Sequence, residues 1–152
     1  MEKIQGKIQE IGVFVIGLVL AVFHIYTSYF GALPAYQQRI VHLVFSMMLV
    51  PLCYDLVKTK KAGIRLAYQI VLIGALAVIG IYSYSIANDM WKQTGTMSTI
   101  DLVLGTILIL MLLFFTWRVV GAAMPIIAIL CIVYAILGPH LPRGIAHRGY
   151  GW

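Results

Sequence analysis

No charged residue stands between Arg65 and Asp89, between Asp101 and Arg118, or between Arg118 and Arg143. A further run, Ile11 to Leu33, is broken only by neutral polar residues and His24. A water-facing domain of this size cannot bury that much apolar side chain, and uncharged runs of this length are the signature of membrane spans. The runs do not alternate in polarity as the strands of a membrane barrel do, so helices are the expected element. Composition agrees: the chain is 62% hydrophobic and 11% charged, against about 25% charged in a soluble domain. The fold class expected is an all-α integral membrane protein.

The formal net charge is +6. The basic residues lie in short loops and at the ends, where they set topology and meet anionic lipid. No basic stripe with interleaved aromatics exists, which excludes nucleic acid as a partner. Cys53 and Cys131 sit inside apolar runs and read as small buried hydrophobes, not as a disulfide or a metal pair. The N-terminal apolar run exceeds the 7–15 residues of a cleavable signal core, so it is expected to stay as a first span.

Five segments follow. The first, about Ile11–Leu33, should end at Pro34, with Tyr26, Tyr29, Phe30 and Tyr36 as an interfacial belt. The second, about Arg39–Val57, contains Pro51, which should kink it or free a carbonyl for a neighbour. Lys58 to Arg65 is the densest basic loop and Asp55 is its one close acid; the positive-inside rule places it, and with it the N-terminus, in the cytoplasm. The third, about Leu66–Ala87, carries a patch of small residues at Gly74, Ala75, Ala77 and Gly80, which either lets helices approach closely or is ordinary glycine usage. A polar, nearly neutral loop, Asn88–Thr99, follows.

The fourth segment, about Ile100–Trp117, should be capped by Ser98 or Thr99 with Asp101 in its first turn. That accounts for Asp101 without an ion-binding role. Ile100 to Leu137 as one helix would be about 57 Å long, too long for one crossing. Arg118 and Gly121 therefore mark a bend, with Pro125 just inside a fifth, linker-like apolar helix over about Ala122–Leu137. Two regions result, 1–118 with four transmembrane helices and 119–152 with the fifth helix and its tail. Pro139 and Pro142 should give the tail a non-helical exit. Whether the fifth helix spans, lies along the membrane or docks on a partner stays open.

Groups able to carry chemistry are few. An ionisable side chain at membrane depth is a functional candidate by default, and here those are His24 and His42. Their depths differ by only about 6 Å at 1.5 Å per residue, so they could ligate a haem iron from both faces, bond across a helix pair, or meet a lipid head group. Glu2, Glu10, Asp55, Asp89 and Asp101 all fall at segment ends or in loops, so no carboxylate relay crosses the membrane. No catalytic triad, phosphate loop or metal cluster is present in the pattern. Arg39 and His42 are one turn apart and face one side, suited to lipid phosphate or to a docked protein. His140, Arg143, His147 and Arg148 are too loosely spaced for a metal site and read as partner contacts.

Trp117-Arg-Val-Val-Gly-Ala-Ala-Met-Pro-Ile-Ile-Ala-Ile-Leu, then Tyr134-Ala-Ile-Leu-Gly-Pro-His-Leu-Pro and Ala146-His-Arg-Gly-Tyr, resemble the junction in fused permeases of the TRAP (tripartite ATP-independent periplasmic) transporters, in their TAXI-type branch. There this stretch links a small four-helix Q-like region to the large M-type permease. The likeness is specific over about Ile100–Tyr150 and looser upstream, at Arg39, His42 and Asp101-Leu-Val-Leu-Gly105. Phe114 stands where the family pattern has an acid, and Trp117 where it has a second basic residue. The chain ends at Trp152, where the large permease would begin, so the resemblance implies either a separate subunit or a piece of a fused chain.

The resemblance implies a non-catalytic scaffold in the bacterial inner membrane, part of a cation-coupled secondary transporter for a small organic-acid solute. Its partners would be the large permease subunit, a periplasmic solute-binding protein and membrane lipid. It implies no cofactor on this chain, since the sodium and substrate sites lie in the large subunit. Arg39, His42 and the loop Asn88–Thr99 would face the binding protein; Arg118, His140, Arg143, His147 and Arg148 would dock the large subunit. Two other readings remain: a b-type haem-binding membrane anchor using His24 and His42, and a small self-associating channel, against which stands the lack of a polar stripe along any segment.

Overall fold

The computed structural model describes residues 2–57, 61–90, 98–142 and 144–146, and the side chains among these except at 2–5 and 88–90. Five α-helices occupy it: α1 Glu2–Phe30, α2 Ala35–Cys53, α3 Ala62–Met90, α4 Thr99–Val119 and α5 Ala123–Leu137, followed by a 3-10 turn, Gly138–His140. No strand occurs among the described residues. Four stretches are long and apolar enough to cross a membrane: Gly6–Phe30, Ala62–Ala87, Thr99–Val119 and Ala123–His140. The protein is an all-α, multi-pass membrane protein.

The fifth helix, left open by the sequence, is among those four; with its 3-10 turn it reaches the length of a span. Helix α2 is not among them. Its 19 residues would reach about 28 Å, but Gln37, Gln38, Arg39 and His42 make its first two turns polar.

The helix ends have local causes. Glu2 to Glu10 is rich in good helix formers, so α1 starts well before the expected Ile11. It stops at Gly31, whose φ of 112° leaves the helical region at no Cβ cost. Pro34, expected to end the first segment, instead opens the next: it is the N-cap of α2, and its carbonyl accepts the Gln38 N–H at 3.0 Å. Lys61 caps α3 in the same way, accepting the N–H groups of Ile64 and Arg65.

The chain divides inside α4 into two compact units, Met1–Ile109 and Leu110–Trp152. In the first, α2 packs against both α1 and α3. Gln37, Ile40, Val44, Met47 and Pro51 are its buried residues, three or four apart on one stripe. Helix α3 answers with Gln69, Leu76, Ile79 and Ser83. A Cβ built on Gly80 would lie 2.9 Å from Val44 Cγ1, so the close approach of α2 and α3 depends on that glycine. Gly74 meets nothing within 4 Å, so only one end of the small-residue patch serves packing.

The second unit holds the expected bend. The Thr116 carbonyl accepts the N–H of Val120 at 2.8 Å and of Gly121 at 3.2 Å, and Gly121 turns the chain with φ 105°. Ala122 is the N-cap of α5, and Pro125 is its third residue, where the missing N–H has no intrahelical partner to lose. The helical path does not stop at Gly138. It continues through Pro139 as the 3-10 turn and leaves at Leu141, extended at φ −84°, ψ 158° because Pro142 follows it.

The cysteines depart from expectation. Both are free and exposed at the protein surface. Cys131 belongs to a helix whose one buried residue is Pro125, so it lies on an apolar face that nothing described in this chain covers.

Candidate functional site

Polar side chains gather where α1 ends and α2 begins. Thr27 donates its hydroxyl to the carbonyls of Phe23 at 3.0 Å and His24 at 3.2 Å, satisfying it within the helix. Gln38 then donates from Nε2 to Thr27 Oγ1 at 3.1 Å. One turn further along α2, His42 Nδ1 lies 2.8 Å from His24 Nε2, and the two rings meet edge-on with centroids 5.0 Å apart. Phe23 packs edge-on against His24 at 5.3 Å. Two side-chain bonds one turn apart thus tie α1 to α2.

These bonds join two helices of a membrane protein. In lipid the hydrophobic effect does not drive helices together, so packing and interhelical hydrogen bonds must. Such a bond contributes about 0.6 kcal/mol on average, up to about 1.7. Gln38 Oε1 is buried without a protein partner, so the cluster retains one unused acceptor.

The pair's geometry does not fit haem. Two-sided ligation sets an iron between the nitrogens, each bond about 2 Å as for imidazole on zinc. Nitrogens 2.8 Å apart and bonded to each other leave no room for the iron or the porphyrin plane. The sequence placed the two histidines at similar depth on neighbouring helices, but depth alone could not tell a direct bond from a shared metal. Among the described residues no group of three or more His, Cys, Asp or Glu side chains gathers to hold a metal.

The remaining candidates are spread out. Arg39 is exposed on the first turns of α2, one turn before His42. Arg118 is exposed near the end of α4, and His140 is exposed on the 3-10 turn. Arg143, His147 and Arg148 lie outside the described residues, as does most of the polar loop Asn88–Thr99. What is described of the tail folds back: Tyr134 donates its hydroxyl to the Ile145 carbonyl at 2.8 Å, and the N–H groups of Ile145 and Ala146 both reach the Pro142 carbonyl.

Asp101 has the structural role its position suggested, and one more. The Ser98 N–H donates to its Oδ2 at 2.9 Å while Ser98 Oγ accepts the Ile100 N–H at 3.4 Å, a reciprocal capping box. Its other oxygen accepts the Tyr82 hydroxyl at 2.7 Å, which pins the start of α4 to α3. At the opposite end of the α2–α3 pair, Gln69 is 2% exposed and donates Nε2 to the Pro51 carbonyl at 2.7 Å. That carbonyl is free because α2 ends at Cys53; it is not the one left unpaired by the missing proline N–H, which belongs to Met47. Asp55 and Arg65 close this end with an ion pair at 3.1 Å. Sequence reasoning passed over Gln69, although a lone amide among Leu66–Ala87 was the visible signal.

Between α2 and α3 runs a groove of about 420 Å³, lined among others by Val44, Phe45, Met48, Gly80, Ile81 and Tyr84. It is apolar throughout, and the hydroxyl of the nearby Ser85 is turned onto the Tyr82 carbonyl. It can hold an acyl chain or apolar side chains but offers no group for catalysis. Compared with known protein families, characterised proteins and solved structures, the chain matches none.

Proposed function

We propose that the chain is a non-catalytic small membrane subunit, Q-like, of a TRAP-type cation-coupled secondary transporter that takes up a small organic-acid solute. It sits in the bacterial inner membrane and partners a large permease subunit and a periplasmic solute-binding protein. The observation that carries the reading is the joint at Gly121: α4 stops at a glycine with φ 105°, and a second span-length apolar stretch, Ala123–His140, begins directly after it. This is the stretch whose sequence resembles the link between the small region and the large permease. The exposed apolar surface of α4 and α5 is consistent with a further protein or lipid around them.

A scaffold needs no reactive groups, and the side-chain bonds of Gln38, Gln69, Tyr82 and Asp101 bridge helices or cap them. In this reading Arg39, one turn from His42, faces the binding protein. Arg118 and the tail residues His140, Arg143, His147 and Arg148 face the large subunit. The basic loop around Lys61 and Arg65 is cytoplasmic, and so is the N-terminus. Deleting the chain in its own cell should deplete the large subunit from the membrane and abolish uptake. An undiminished large subunit with normal uptake would contradict the proposal.

A further inference from the structure

We propose that the His24–His42 pair is a proton-sensitive latch between α1 and α2. The facing ring nitrogens, 2.8 Å apart, hold together only while one of them lacks a proton. The two rings have four nitrogens. With two or three protons among them a donor still meets an acceptor; with four, two N–H groups and two positive charges face each other and the bond is lost.

Nothing described nearby offers a compensating negative charge. Among the described side chains of α1 the other titratable groups are Lys7 and Glu10, near its far end, and Tyr26 and Tyr29 beside the pair. On α2 they are Tyr36 and Arg39, close by, and Cys53 at the other end; Arg39 adds positive charge. Helix α3 brings Tyr82 and Tyr84 to this end, with Arg65 and Tyr68 at the other. Asp89 stands on the last turn of α3, its side chain outside the described ones; among the described side chains the next carboxylate is Asp101 on α4, whose oxygens are already taken by Tyr82 and by the Ser98 N–H.

His42 is exposed at the protein surface, and His24 is half-buried beside an open pocket lined by Ile25, Ser28 and Tyr29. The latch is closed while at least one of the four ring nitrogens lacks its proton and opens when acid supplies the last. The Gln38–Thr27 bond one turn away carries no titratable group. Acid thus loosens this end of the hairpin without parting the helices, and changes the charge of the surface that Arg39 and His42 share.

The test uses the full chain, labelled with nitrogen-15 histidine, in lipid nanodiscs. A through-bond nitrogen–nitrogen coupling between His24 Nε2 and His42 Nδ1 is expected at pH 8, lost at pH 5 and restored on returning to pH 8. The thermal midpoint should fall between pH 8 and pH 5, and fall less in His42→Gln, whose amide can donate or accept at either pH. Absence of the coupling at pH 8, its persistence at pH 5, or an equal fall in His42→Gln would overturn the proposal. Should the variant fail to fold, the coupling in the native chain decides alone.

Discussion

Asp101 illustrates how much a single side chain can carry where few are polar. Its carboxylate closes the capping box with Ser98 and accepts the Tyr82 hydroxyl. Asp101→Ala should cost about 0.5–2 kcal/mol through the cap alone, and Tyr82→Phe about 0.5–1.5 kcal/mol. The two losses should be less than additive, because both remove the same bond. Reversible unfolding in mixed micelles measures all three values, and strict additivity would show that the bond contributes nothing. Gly80 makes the opposite case, a residue important for what it lacks. Gly80→Ala places a Cβ 2.9 Å from a branched Val44 that has little freedom to move, and should cost about 1–3 kcal/mol. Gly74→Ala, with nothing within 4 Å, should be neutral or stabilising. The two glycines are indistinguishable in the sequence, since the partner that separates them is supplied by α2.

At the scale of elements, the apolar runs were legible because period and length alone define a span, and all five helices lie where those runs predict. The ends were less so. Proline was expected to terminate the first helix, yet Gly31 does it and Pro34 begins the next. Both residues break helices, and only backbone geometry tells which acts. The joint at Gly121 was read correctly, because a helix about 57 Å long has no place in a bilayer. Gly121→Ala forces a side chain into φ 105°, where L residues are strained by about 1–3 kcal/mol. It should loosen the start of α5, seen as faster amide exchange at Ile126, while α1–α3 stay unchanged; unaltered exchange there would remove Gly121 from the role of joint. At the other end of the α2–α3 pair, Gln69→Leu leaves the Pro51 carbonyl without its donor. An orphan acceptor away from water costs about 1–3 kcal/mol, which the same unfolding measurement would register. The histidine pair was legible as two candidates at one depth, but its chemistry turned on whether the nitrogens meet or stand apart around a metal. That distance comes from the crossing of α1 and α2, which no spacing rule supplies.

At the scale of the whole molecule, the later helices are apolar almost all round. Along α5 Pro125 is the one buried residue, and Phe115 holds that place in α4. Such helices are at home in lipid or against another membrane protein. The proposed orientation, with the basic loop in the cytoplasm, can be tested directly. In a Cys53→Ser, Cys131→Ser background, a cysteine replacing exposed Gly63 should react in intact cells only with a membrane-permeant thiol reagent; ready reaction with an impermeant one would invert the topology. The most direct test of the central claim is recovery of the tagged chain from its native membrane under mild detergent. The account predicts that a large multi-span permease comes with it in a fixed ratio, and that Gly121→Ala weakens that recovery. Recovering the chain alone and monodisperse, with the permease left behind, would contradict it.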